Sequence, residues 1–294
     1  MTDATLPFAP APAPAPEAER QQRLAAERTA IDRLARVNGA LELQAAVLAL
    51  LLPRGSQRAL RAWQIETSGA PEAEAVRGQI DALSGHSRLP MFEQLVSRLR
   101  AQPLETRQTL LESTRRVMSA RGVLRPIDRL HWLAMRQRLG GNASAATRTA
   151  ATAEMSRLPQ ADVSAIAMFS AFLSRLVPVD AGETVATAEA GGTPPGVAWY
   201  DAVMAPWQDR TDVPACSPPD TDGLVHALHE LQAMAWMQRP VLVRGWVVAA
   251  RQASRYGRLD DTAADALRLS CTLLDSPLPP ELARHYGESM PETR

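Results

Sequence analysis

From Glu17 almost to the C-terminus, apolar residues recur at three- and four-residue intervals, the spacing of one face of a helix. Ala, Leu, Arg, Glu and Gln dominate, and the β-branched and aromatic residues are too scattered to make alternating strands. The periodicity predicts helices over about 17–37, 41–52, 56–67, 71–84, 90–101, 104–120, 126–139, 160–177, 197–206, 221–238, 240–255 and 261–274. Gly and Pro punctuate them, at Asn38-Gly39, Pro53, Gly69, Pro90, Pro103, Gly122, Gly140-Gly141, Pro178, Pro240, Gly257 and Pro277. Short connections between helices of this length favour antiparallel neighbours. The expected fold is therefore all-α, a multi-helix stack or bundle of about a dozen helices.

Three stretches break the rhythm. Residues 1–16 end in alternating Ala and Pro, which fixes φ, removes donors and makes an extended, disordered tether; such a spacer is either ornamental or a mark of descent from a longer chain. Residues 180–196 read as a mobile loop. Residues 207–220, rich in Pro and Asp, read as a linker between an N-terminal helical region (17–206) and a C-terminal one (221–286), with 287–294 as a disordered tail.

A weak internal repeat relates 115–139 to 250–274. Arg116, Ser119, Gly122 and Leu124 match Arg251, Ser254, Gly257 and Leu259. This is the pattern of a helix–turn–helix corner: Gly supplies the left-handed residue that ends one helix, Leu docks on the core, and the next helix starts at Pro126 or at capping Asp260.

Composition narrows the chemistry. Of 294 residues 46% are hydrophobic and 22% charged, within the range of globular chains. Thirty-two basic and 32 acidic side chains give a formal net charge of +0, so the bulk attraction that nucleic acid demands is missing. Every basic residue is Arg; without Lys, a phosphate-loop Lys, a Schiff base and a Ser–Lys dyad are excluded. Two cysteines make no disulfide framework: Cys216 reads as a linker thiol and Cys271 as a core thiol. The most apolar run, AAVLALLL at 45–52, is less than half of the ~20 residues a membrane span needs, and no secretory signal opens the chain. A cytoplasmic protein with no integral membrane segment is expected.

The sharpest candidate site is His226-Ala-Leu-His229-Glu230. A zincin helix needs histidines at i and i+4, and the second position here is Ala233. Leu224, Leu228, Leu231 and Ala235 define the buried stripe, which leaves His226 and His229 on the solvated face. His131 reads as a packed or rim histidine beside Trp132. His86 sits in a loop with no partner that the sequence can name, and His285 at a frayed C-terminus beside Tyr286. Ser119 and Ser254 lack a nucleophile elbow. Gly140-Gly141 and Gly191-Gly192 lack a dinucleotide fingerprint. Asp260, Asp261 and Asp265 lack a calcium loop and read as helix-capping acids. The Arg clusters (Arg54, Arg58, Arg61; Arg115, Arg116, Arg121, Arg125, Arg129) read as solvated faces or as a surface for an anionic partner. Trp199, Trp207, Trp236 and Trp246 flank the connections and either pack the two regions together or form a docking surface.

The second corner, Gly257 through Leu269, followed by LLDSPLPPEL at 273–282, resembles the C-terminal helical region of HtpX-like proteobacterial membrane zinc metalloproteases, a region itself similar to the TerB (tellurite-resistance-like) helical domain. Pieces at 45–52, 110–139 and 221–282 fit in the same order, so the likeness runs from about residue 40 to 285. The chain departs from the family where it lacks the membrane helices and the HExxH site. The family's Asp before Gly is Arg121 in one corner and Tyr256 in the other, and its Glu is Asp128 in one and Asp265 in the other. The resemblance implies a non-catalytic helical interaction or accessory module whose partner is a protein, a membrane protease or membrane-associated complex, with the chain peripheral to the inner membrane. The alternative it implies is a severed part of a zinc metalloprotease whose catalytic half lies elsewhere. No residue is assigned as catalytic, cofactor-binding or metal-ligating, and no cofactor is expected.

Overall fold

A computed structural model describes residues 16–141, 154–177, 195–210 and 213–287. The expected tether, most of the 180–196 loop and most of the tail lie outside them. The described residues form an all-α bundle with no strand. The helices are α1 (Pro16–Arg36), α2 (Ala40–Leu50), α3 (Gln57–Glu66), α4 (Ala73–Asp81), α5 (Gly85–Leu99), α6 (Leu104–Ser119), α7 (Pro126–Leu139), α8 (Gln160–Leu173), α9 (Pro195–Met204), α10 (Thr221–Ala233), α11 (Gln238–Ala253), α12 (Asp261–Leu273) and α13 (Pro280–His285). Among the described residues, no helix is long and apolar enough to cross a membrane.

Two helices organise the rest. In α2, Leu43 and every residue from Ala45 to Leu50 are buried; in α8, Val163, Ile166, Phe169, Phe172 and Leu173 are buried together with the small residues between them. A helix apolar on all sides satisfies its own backbone and can only be covered. Helices α3, α4, α5 and α6 cover α2, while α9 and α10 cover α8. The run at 45–52, too short for a membrane, is thus an internal rod.

Indole N–H groups fix the layers. Trp63 Nε1 donates to the Ala45 carbonyl oxygen at 3.0 Å, locking α3 on α2. Trp199 Nε1 donates to the Trp246 carbonyl at 3.2 Å, and Trp246 Nε1 to Ser170 Oγ at 3.0 Å, which ties α9 to α11 and α11 to α8. The Trp246 ring stacks on Phe169 at 5.5 Å between centroids. These tryptophans pack the regions together; Trp236, 70% exposed, does not.

Helices on both sides of 207–220 share one hydrophobic core: α8 packs on α10, α7 on α12, and α9 on α11. The described part of the connection is strapped to the body. Trp207 is buried and donates to the Met155 carbonyl at 2.8 Å, the Tyr200 hydroxyl donates to the Pro214 carbonyl at 2.5 Å, and Cys216 Sγ lies 3.4 Å from Ser174 Oγ.

Both corners turn on glycines in the left-handed region, Gly122 at φ +88 and Gly257 at φ +66. The helix after the first starts at Pro126; the helix after the second starts at Asp261, with Asp260 capping it by accepting from Ala263 N at 2.5 Å. Several boundaries differ from the sequence reading, among them the ends of α8 at Leu173 and of α10 at Ala233, and two differences bear on the site. Helix α5 starts at Gly85, so His86 stands in its first turn and not in a loop. Pro90 is tolerated there because, early in the helix, its missing N–H deprives only the His86 carbonyl. The C-terminus is not frayed at His285: α13 buries Leu282 and Ala283.

Two stability results follow. Gly122→Ala meets no steric obstacle but must hold a left-handed φ, and is expected to cost about 1 kcal/mol in chemical denaturation. Trp246→Ala is expected to cost about 3–5 kcal/mol, whereas exposed Trp236→Ala stays within about 0.5 kcal/mol. Equal effects of the two Trp substitutions would contradict the packing described.

Candidate functional site

A deep concavity lies where the two corners meet. The end of α2, the first turns of α5, α7 and α12, and Leu176 enclose a cleft of about 640 Å³. Its floor is apolar: Leu50, Leu51, Leu52, Leu89, Phe92 and Ile127. Its rim is ionic, with Arg54, Arg88 and Arg125 and the carboxylates Asp128, Asp261 and Asp265. Asp128 and Asp265 therefore face one cavity, one from each corner.

Their environments differ. Burial works to raise the Asp128 pKa, but hydrogen bonds from Arg125 and Arg121 outweigh it and hold the carboxyl below its usual range. Arg125 Nη2 donates to Oδ1 at 3.1 Å, the Arg125 backbone N–H donates to Oδ2 at 3.0 Å, and buried Arg121 also pairs with Oδ2. Arg121 thus neutralises Asp128. Asp265 has no such arginine. Burial pushes its pKa up to about 7, only partly offset by the Tyr286 hydroxyl, which donates to Oδ1 at 2.8 Å, and by Arg268; Asp261 and Glu93 add to the rise.

Behind Asp265 runs a buried polar chain. Arg268 stacks over the Tyr286 ring at 4.5 Å and donates to Glu93 Oε2 at 2.7 Å, while Thr272 Oγ1 donates to Glu93 Oε1 at 2.5 Å. This links α5, α12 and α13. Arg88 closes the opposite end. Its guanidinium donates to the Ile80 carbonyl at 3.1 Å and the Leu50 carbonyl at 3.2 Å, answering the exposed C-termini of α4 and α2. Its pKa is lowered by burial and then by the like charge of Arg54.

At the mouth, beside Asp261, two histidines meet that lie far apart in the sequence. The rings of His86 (α5) and His285 (α13) stack with centroids 4.6 Å apart. Asp261 Oδ1 is 3.8 Å from His86 Nε2 and 3.4 Å from His285 Nε2. Burial, and then the neighbouring His86, lower the His285 pKa despite Asp261. His285 also meets Tyr286 edge-on at 5.0 Å.

The other histidines are placed differently. His226 and His229 are exposed, on the side of α10 away from Leu224, Leu228 and Leu231, and the nearest acid to His229 is Glu230 at 3.7 Å. His131 lines the cleft wall: its Nδ1 lies 3.0 Å from the Ile127 carbonyl, its ring meets Phe92 edge-on at 5.1 Å, and burial pushes its pKa down to about 4. Burial pushes the Cys271 thiol up to about 12, so it is an inert core group. Ser254 Oγ is occupied on the Ala250 carbonyl at 2.6 Å. The sequence reading missed the grouping of His86, Asp261 and His285. Leu89, Phe92, Val96 and Leu99 share one helical stripe that begins before Pro90, and this was the local signal that His86 lies on a helix.

Searches of protein-family models, of curated proteins and of solved structures find no match to this chain.

The Asp265 environment sets a pH dependence. Its folded pKa of about 7 lies above the ordinary 3.8, so the folded state holds the extra proton in between and stability falls as pH rises through that window. Asp265→Asn removes this loss. Its stability relative to the unsubstituted chain is expected to grow as pH rises from about 4 towards 7 and then level off, as read by denaturation at a series of pH values. A pH-independent difference would contradict the assignment.

Proposed function

We propose that the chain is a non-catalytic helical interaction module that receives a carboxylate-bearing, apolar peptide segment of a protein partner in the cleft between its corners. The observation that carries this reading is the placement of Arg54 and Arg88. They face one cleft with like charge, and neither forms an ion pair with a carboxylate among the described residues, while leucines and Phe92 make the floor below them. A guanidinium is suited to bidentate recognition of a carboxylate, and an apolar floor supplies the anchor area. On the acidic side of the cleft, Asp128 is matched by two arginines and Asp265 retains much of its proton near neutrality, which leaves Asp261 as the main carboxylate charge there.

The helical corners resemble those of the C-terminal region of membrane zinc metalloproteases. A protein of that class, or a membrane-associated complex containing one, is therefore the partner class to try first, with this chain acting as an accessory part at the membrane surface. That choice rests on likeness of fold elements alone.

Fluorescence anisotropy with labelled peptides of alternating Leu and Glu, against Leu/Gln and Leu/Lys peptides of the same length, tests the reading. Selective binding of the Glu series is expected, weakened by salt and weakened about tenfold by Arg54→Glu, which exchanges an exposed side chain without touching the core. Equal binding of all three series, or indifference to Arg54→Glu, contradicts it.

A further inference from the structure

We infer that His86, Asp261 and His285 form a binding site for one divalent transition-metal ion of the zinc class at the mouth of the cleft. The donor set is two imidazoles and a carboxylate, which suits zinc, cobalt or nickel better than magnesium or calcium, whose sites are built from oxygen. The geometry is close to what such an ion needs. With metal–ligand bonds of ~2.0–2.1 Å, the donor atoms of a tetrahedral site lie about 3.3 Å apart. The two histidine Nε2 atoms stand 3.4 and 3.8 Å from Asp261 Oδ1, and all three groups offer ligand atoms within 4.8 Å of one another. Rotation of the imidazoles out of their stack would bring the three donors onto one ion and leave the fourth position for water.

The three ligands come from separate elements, the first turns of α5 and α12 and the last turn of α13, so no local sequence rule places them together. The surroundings hold them. A Cβ on Gly85 would lie 2.6 Å from Asp261 Oδ2, so the glycine admits the carboxylate against the α5 backbone. The His285 side chain is only 14% exposed and is held by Tyr286, whose hydroxyl is fixed by Asp265 and whose ring lies under Arg268. The positive ends of α5 and α12 oppose a cation. Against them stand the Asp260 cap and Asp261 on α12, Asp265 one turn further, and Glu27, whose Oε1 accepts from the Ser84 N–H at 2.9 Å at the start of α5.

The test uses the full-length chain, free of any purification tag and dialysed against chelator. Titration with Co²⁺ is expected to give one saturable equivalent with the intense visible absorption of four-coordinate cobalt, displaced by Zn²⁺. Zn²⁺ is expected to raise the melting temperature, reversibly with chelator. His86→Ala and Asp261→Asn, both at exposed positions, are each expected to weaken binding by tenfold or more while circular dichroism shows an intact helical fold. The pair His226→Ala and His229→Ala is expected to leave affinity unchanged, as is Cys216→Ser. Absence of saturable binding of either metal overturns the proposal, and so does affinity indifferent to His86→Ala. No peptide enters the experiment, so its outcome is separate from that of the peptide-binding reading.

Discussion

A helix that is apolar on every side has only one stable place, under other helices, and this chain contains two such segments. Their burial sets the architecture. Around α2 and α8 most of the remaining helices bury one apolar stripe and leave a charged face for solvent, while α12 is itself largely buried. The tryptophans of α3, α9 and α11 add direction to this otherwise undirected force. Each indole reaches through the packed layer to a specific carbonyl or hydroxyl, which fixes how one helix sits on the next.

The cleft is a consequence of that packing. Helices α5, α7 and α12 all begin at its edge, and α2 ends there. The place where helix termini converge is where backbone polar groups go unpaired, and the chain answers them with ions: Asp128 at the start of α7, Asp260 at the start of α12, Glu27 at the start of α5 and Arg88 at the ends of α2 and α4. Charges recruited to cap helices are thereby concentrated around one apolar hollow. The same circumstance places histidines beside a carboxylate at its mouth.

The fold class was legible because its signals are local. The corners follow from Gly122 and Gly257, which only a left-handed residue explains, and from Pro126 and Asp260, which start helices by their own chemistry. The solvated face of α10 was legible from Leu224, Leu228 and Leu231, and that placed His226 and His229 on it. The histidine–aspartate group was not legible. Reading Pro90 as a helix start left His86 in a loop, and reading Pro277 as an ending left His285 on a frayed tail. Even with both helices drawn correctly, the meeting of α5 with α13 is decided by tertiary packing through Glu93, Arg268 and Tyr286, for which sequence spacing carries no signal. Nor did the linker-like composition of 207–220 reveal that Trp207 and Tyr200 fasten this connection to the body.

Native-state hydrogen exchange of the full chain tests most directly the claim that two largely buried helices hold one core together. Amides of α2, α8 and α11 are expected to exchange with a common, highest free energy and to respond together to denaturant, because none can open without exposing the shared interior. Exchange of α10 to α13 at a distinctly lower free energy than α2, as a unit that unfolds while α2 stays protected, would contradict the account.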